Sequence, residues 1–580
     1  MRPESGIRVR RLLAGLIAVV AFAIAWIAFF RQEADPPQLT AAPESKVEPQ
    51  LLFDKWPKGN PDLVIVLTGQ MHGYLQKCGC SHPQKGGLER RYNFIESLKA
   101  RGWEVIGLDV GDVPHPLPYT PTKEQTLAKY ETAMQAMKLM GYKATAVGRE
   151  ELAMPLQDAL SKYTLQTGNE YPKVLAANIA NKKDFPDTNG GSTLTESDIF
   201  TTKGGLKVGV IGVAGMEVTN RTIDSSVKFD GNPAAVVAKT LKTWADKSTD
   251  VNVLLYQGPI KWTDPTGRKV DATTAAEGFP AFHIVLCKMP ENAEADAPDM
   301  PTVVNDGKTM ICQVGQKGQN VGVIGVFKGP KGTEYFYQRV TMSEEFETPP
   351  DKEKGHPILK LLQDYSDTVK DNDYLSEMAK RKKLHSVQAL PNHAKAEYVG
   401  DAKCVACHKD EMAVWQKTKH AGAYNALAVL AKNPKGRNFD GECIICHTVG
   451  YDFKTGFVNQ KQTPNLMNVQ CESCHGPSSL HVDEETVNLK KNKGQTHAFT
   501  MSLSPWKVNG QGAMPSLKRL EAMVKEPDPT KREAILTPAE NHTYLAVYQV
   551  CYKCHDQDND PKFKLESYWP NVVHTGLKKK

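Results

Sequence analysis

Two regimes of hydrophobic patterning divide this chain. From about residue 60 to 345, short β-branched runs alternate with stretches whose apolar positions recur every three to four residues. Leu63–Leu67, Val105–Leu108, Val208–Val213, Val253–Leu255, Phe282–Leu286 and Val321–Phe327 read as strands, and Arg90–Ala100 and Thr122–Met140 as amphipathic helices. Strands interleaved with helices predict an α/β domain, here bounded at 58–345, with its polar residues gathered at strand ends. A helical connector follows over 346–396. Its stretch from Pro357 to about Lys380 carries an apolar stripe of Ile358, Leu361, Leu362 and Tyr365 that can pack on either neighbour.

The N-terminus has a third pattern. Arg2, Arg8, Arg10 and Arg11 precede an uncharged run of 19 residues from Leu12 to Phe30. As a helix it would reach ~28 Å, about one hydrocarbon thickness. The small-x-small sites Ala21-Phe22-Ala23 and Ala23-Ile24-Ala25 lie inside the run, and bulky Trp26, Ile27, Phe29 and Phe30 follow them. The reading is an uncleaved signal anchor and transmembrane helix over 1–31, basic end in the cytoplasm, with the rest of the chain on the periplasmic side. Residues 32–57, rich in Pro, Glu and Gln, form a linker.

Length and composition add limits. At 580 residues the chain exceeds one hydrophobic core. A net charge of +6 over that length is too dilute to argue for nucleic acid, and the Lys578-Lys579-Lys580 tail reads as a solvated end.

The chemistry sits in the last third, where Cys-x-x-Cys-His occurs four times: Cys404/Cys407/His408, Cys443/Cys446/His447, Cys471/Cys474/His475 and Cys551/Cys554/His555. This is the attachment pattern of haem c, with two thioether-forming thiols and an adjacent proximal histidine. Zinc also uses Cys-x-x-Cys pairs but requires no histidine directly after each. Histidine is 16 of 580 residues, so chance alone would place one after all four pairs with a probability on the order of one in a million, which favours haem. Four haems over 397–580 leave too little chain for a conventional core, so mostly α and irregular structure is expected there.

The surplus histidines near the motifs are His393, His420, His481, His497, His542 and His574. A haem with a second histidine is six-coordinate and suited to electron transfer, whereas one without can bind a small molecule. Of the other cysteines, Cys287 and Cys312 lie in strand-like runs and are candidates to bridge neighbouring strands in an oxidising compartment. Cys78 and Cys80, one residue apart, would make a strained ring if joined to each other, and stay unassigned.

Two resemblances extend the reading. Tyr398-Val399-Gly400-Asp401 before the first motif, Trp415 to Ala421 after it, Thr448-Val449-Gly450-Tyr451 after the second, and Gly476-Pro477 with His481 after the third resemble the tetrahaem cytochrome c-554 family. The resemblance implies four covalent haems c and a second histidine on three of them. Carried over by position, His420 pairs with His475, His481 with His555, and His574 with His408. It leaves the haem on His447 five-coordinate. His393, His497 and His542 are expected to be surface residues.

Over residues 60–340, Thr68-Gly69-Gln70-Met71-His72-Gly73, Asp109-Val110-Gly111-Asp112 and Gly148-Arg149-Glu150-Glu151 resemble the 5′-nucleotidase branch of the calcineurin-like metallophosphoesterases, as do Ala176-Ala177-Asn178 and Val208 to Val213. The resemblance implies an α/β sandwich holding two metal ions. His72 and Asp112 keep the expected ligand types. Gln70 replaces an aspartate, Arg149-Glu150 an Asn-His pair, Gln257 a lone histidine, and Leu286-Cys287-Lys288 stands where Gly-His-x-His is expected. A two-metal site needs a bridging carboxylate and neutral imidazoles, so hydrolysis is not expected. A single metal on His72, Asp112 and Glu150 is the alternative.

The combined expectation is a membrane-anchored, exported electron carrier between a redox-protein donor and acceptor, with an inactive nucleotidase-like domain. The alternatives are small-molecule redox chemistry at an open haem on His447, and a working phosphoesterase fused to a cytochrome.

Overall fold

The computed structural model describes residues 50–79, 81–115, 122–166, 168, 170–187, 192–220, 222, 224–290, 297–330, 332–431, 433–491, 499–503 and 514–574. The expected anchor over 1–31 and most of the linker lie outside them. Among the described residues no helix is long and apolar enough to cross a membrane.

The strand-like runs do form strands, arranged in two sheets. The first has seven strands: β1 (Leu63–Thr68), β2 (Val105–Asp109), β3 (Tyr142–Ala146), β4 (Lys173–Leu175), β5 (Leu194–Thr195), and later β12 (Asn320–Gly329) and β13 (Gly332–Thr341), in the order β13-β12-β1-β2-β3-β4-β5. The second is built from β6 (Ser197–Thr201), β7 (Lys207–Ala214), β8 (Val251–Pro259), β9 (Ile284–Lys288), β10 (Thr302–Val304) and β11 (Thr309–Cys312), in the order β10-β11-β9-β8-β7-β6. Strands β1 to β5 run parallel, as do β7, β8 and β9.

Alternation of side chains sorts the apolar residues into layers. Leu63, Ile65 and Leu67 of β1 face Val208, Val210, Val253 and Leu255 of the other sheet. Val64 and Val66 turn outward to the helices Leu88–Ala100 and Lys123–Met140, while Ile211, Val213 and Val285 turn toward Trp244 and Ala276. Because helices cover both outer faces, the central strands are apolar at successive positions rather than alternately.

The connector resolves into two helices, Pro357–Asp371 and Tyr374–Ala379, interrupted at Asp373, whose φ is 46°. Its stripe packs on the sandwich, where Ile358, Leu362 and Tyr365 join the helical layer on the first sheet, while the Tyr365 hydroxyl reaches Asp440 of the C-terminal region at 3.2 Å. The C-terminal region has short helices and, among the described residues, small apolar clusters such as Tyr398, Tyr424, Ile444, Val449, Tyr451 and Phe457. Contacts unite Val47–Lys580 in one compact unit, so the sandwich and the C-terminal region pack together.

The expected Cys287–Cys312 bridge is absent, and both are buried free thiols. Strands β9 and β11 are neighbours, as expected, but Cys312 stands opposite Leu286. Cys312 therefore joins the layer between the sheets and Cys287 the outer layer, so their sulfurs lie on opposite faces. Cys78 is disulfide-bonded, with its partner outside the described residues.

Candidate functional site

The ends of β1, β2, β8 and β9 converge where a two-metal site was weighed, and the backbone there keeps a site-like shape. Gln70, His72 and Asp112 adopt left-handed φ values of 49°, 49° and 58°, a strained conformation that surrounding contacts must hold. Gly148 admits no side chain, since a Cβ there would stand 2.4 Å from both Asp112 Oδ1 and Gln257 Nε2.

The side chains have been re-used. Lys288 Nζ lies 3.2 Å from Asp112 Oδ2, with the side chains 4% and 0% exposed. A buried ammonium thus stands beside the carboxylate. Burial by itself pushes the Asp112 carboxyl up, but Lys288 and then His72 hold it below the usual carboxylate range. Gln70 is occupied by the backbone of Met289, donating to its carbonyl at 3.0 Å and accepting from its N–H at 2.6 Å. Gln257 donates to Val110 O at 2.9 Å. Arg149 lies 3.4 Å from Glu150, and Glu151 accepts from the amides of Asp112, Val113 and Gly148. The suggested single metal on His72, Asp112 and Glu150 is not borne out: among the described residues no cluster of three His, Cys, Asp or Glu could hold an ion. Sequence reasoning noted Lys288 only as a missing histidine. Its meaning, a fixed cation, required the fold to bring β9 beside Asp112.

Three of the four motif histidines share one local design, an acceptor at Nδ1. His447 Nδ1 donates to Ala423 O at 2.5 Å, and His475 Nδ1 to Leu503 O at 2.7 Å. His555 Nδ1 contacts Asp560 Oδ2 at 2.8 Å, and His408 Nδ1 faces Glu411 at 3.8 Å. An acceptor at Nδ1 holds the ring and leaves Nε2 for a metal, the outer arrangement that ligating histidines use.

Three of these rings face a second imidazole. His408 pairs with His481 at 6.3 Å between centroids, His420 with His555 at 6.1 Å, and His475 with His574 at 6.0 Å. Two metal–nitrogen bonds of about 2 Å, plus about 1 Å from each nitrogen to its ring centre, sum to roughly 6 Å. The spacing fits one iron between each pair of rings. Apolar Val405, Ile445 and Tyr552, each between the two cysteines of a motif, lie exposed, a lining suited to porphyrin.

All six expected histidines are therefore paired, but with partners exchanged. His481 faces His408 rather than His555, His420 faces His555 rather than His475, and His574 faces His475 rather than His408. The reason is the lacing of the first and third motifs. Glu472 accepts from the amides of Val399 at 2.9 Å and Gly400 at 2.7 Å, and Gln470 accepts from Asp401 N at 2.8 Å. The helix Ser479–Lys491, leaving the third motif, thus carries His481 onto the first. Among the described residues no second imidazole faces His447. His393 lies against Phe499 with Nδ1 on Pro391 O, His542 is exposed, and His497 falls outside the described residues.

Two pairs of motifs adjoin. Val399, Gly400 and Asp401 ahead of Cys404 bond Glu472 and Gln470 at the third motif, and Cys446 Sγ lies 3.9 Å from Lys553 O, next to Cys554. The motif of His408 thus adjoins that of His475, and the motif of His447 adjoins that of His555.

Comparison with known proteins agrees with part of this reading. The sandwich is similar to a 5′-nucleotidase precursor from Thermus thermophilus, at 20% identity over 53% of this chain and 59% of that chain, with a TM-score of 0.41. A calcineurin-like phosphoesterase from Bacillus subtilis gives 14% identity over 53% and 98%, with a TM-score of 0.39. These are loose likenesses of fold, and the topology above stands without them. Cytochrome c-554 of Nitrosomonas europaea is 36% identical over 104 residues, 16% of this chain and 43% of that protein, so the chain spans less than half of this curated relative. Residues 403–476 match the family model of cytochrome c554 and c-prime, which implies covalently bound haem c in this region.

Proposed function

We propose that this protein is an exported tetrahaem c-type cytochrome that carries electrons between redox proteins, anchored by its N-terminal helix. Its nucleotidase-like domain is non-hydrolytic. The observation that carries the reading is the set of three imidazole pairs at the span of one iron, each uniting a Cys-x-x-Cys-His histidine with a distant one. Cys404 and Cys407, Cys443 and Cys446, Cys471 and Cys474, and Cys551 and Cys554 would hold the four haems, and His408, His447, His475 and His555 would be their proximal ligands. Bound haem supplies one-electron ferric–ferrous chemistry. His481, His574 and His420 would supply a second imidazole to the haems on His408, His475 and His555, favouring electron transfer over ligand binding. The four sites fall into two adjoining pairs, His408 with His475 and His447 with His555, within which electrons would pass. In the sandwich, Lys288 and Arg149 supply fixed positive charge where a hydrolase would hold metal.

A second reading rests on His447, whose ring is held by Ala423 O but faces no second imidazole among the described residues. A haem there would keep a position open to a small nitrogen or oxygen species. Intact-mass measurement combined with EPR of the oxidised protein tests both. Four haem additions with three low-spin signals and one high-spin signal are expected. Fewer additions would sink the tetrahaem reading, and low-spin signals alone would remove the second.

A further inference from the structure

The sandwich touches the cytochrome region at the adjoining motifs of His447 and His555. Glu442, immediately before Cys443, forms an ion pair with Lys129 and meets His115 Nε2 at 3.1 Å. Lys129 is 3% exposed and also donates to Gly73 O at 3.1 Å, next to His72 of the re-used cleft. Asp440 takes hydrogen bonds from Gln125 at 2.9 Å and Tyr365 at 3.2 Å, and Arg437 donates to the carbonyls of Lys77 and Cys78. At the neighbouring motif Asp558, three residues after His555, pairs with Lys317, and Asn559 O accepts from Ser81 at 2.7 Å and Gln84 at 2.8 Å. The sandwich thus sets lysines against carboxylates that flank the motifs of His447 and His555.

Resting on the tetrahaem reading, we propose that the sandwich is an electrostatic collar on these two sites, with Lys129 the positioning residue that raises the reduction potential at the His447 site. The contact is nearly dry on the Lys129 side, so its charge is weakly screened. Glu442 directly precedes Cys443, which would hold the haem on His447, so its charge would act on that haem. Without Lys129, the Glu442 carboxylate keeps only His115 beside it and favours the ferric state, which carries one more positive charge. Lys317 is 36% exposed, so solvent weakens its effect on the neighbouring site.

The test is a spectroelectrochemical titration of the full-length haem-loaded protein and two variants. In Lys129→Met one of the four transitions should fall, by about tenfold in the oxidised-to-reduced ratio at fixed potential, or about 59 mV for one electron. In Glu442→Gln the same transition should rise, and Lys129→Arg should restore the wild-type value. A purely structural role predicts no such opposition of sign. If neither variant moves a transition, or both move all four in one direction, the collar is refuted. If Lys129→Met fails to fold, Glu442→Gln decides alone, because an unmoved transition there overturns the proposal. A chain carrying fewer than four haems defeats the functional reading instead, whereas four attached haems with unmoved potentials defeat only the collar.

Discussion

Replacing Lys288 by Met tests the buried ion pair between Lys288 and Asp112. Asp112 is fully buried, and its partners are Lys288 at 3.2 Å and the backbone N–H of Glu150 at 3.1 Å. Removing one partner of a buried ion pair costs about 3–5 kcal/mol, because the remaining charge stays desolvated. The Glu150 amide and nearby His72 hold Asp112 toward the low end, so a loss of about 3 kcal/mol is expected. Lys288→Met/Asp112→Asn removes both charges and should cost only about 1 kcal/mol, less than either single change. The assay is calorimetric unfolding of the full-length protein at neutral pH, with Soret absorbance following the haem region separately, since a protein of this size need not unfold in one step. A Lys288→Met protein as stable as wild type would refute the reasoning. So would a double variant that loses the sum of the two single losses.

Other outcomes follow from the same geometry. Asp112 is more acidic folded than unfolded, so its contribution is present at neutral pH and is lost as pH falls from the unfolded value of about 3.9 through the folded one. Acid unfolding followed by the fluorescence of buried Trp244 should therefore be less steep in Asp112→Asn, and an unchanged slope would count against the ion pair. His481→Ala should open the haem on His408 and produce a new high-spin EPR signal. That signal should vanish when Cys404 and Cys407 are also changed to Ser, and its survival would support the pairing with His555. Glu472→Ala removes the acceptor for Val399, Gly400 and Ser478, at a cost of roughly 3 kcal/mol, and should loosen the first and third motifs together in hydrogen exchange. Phosphate monoesters and diesters offered with divalent metals should not turn over, and robust hydrolysis abolished by His72→Ala or Asp112→Ala would overturn the account of the cleft.

What could be read from the sequence was chemistry contiguous in the chain. Two thiols and a histidine within five residues define a haem attachment site whatever the fold does around them. The β-branched runs announced strands because their burial on both faces leaves a continuous apolar signature. The substitutions at Gln70, Arg149 and Gln257 already argued against two metals, since ligand chemistry is a property of residue type. The tertiary structure decided everything that depends on which distant segments meet. It exchanged the partners of all three histidine pairs, because Glu472 and Gln470 lace the third motif to the first and so aim His481 there. It separated Cys287 from Cys312 by one step of strand parity, and it brought Lys288 across the sheet to Asp112. It also set Lys129 against Glu442, 313 residues apart. Such contacts leave no mark in local pattern, because their energy comes from burial and charge pairing that exist only once the layers have packed.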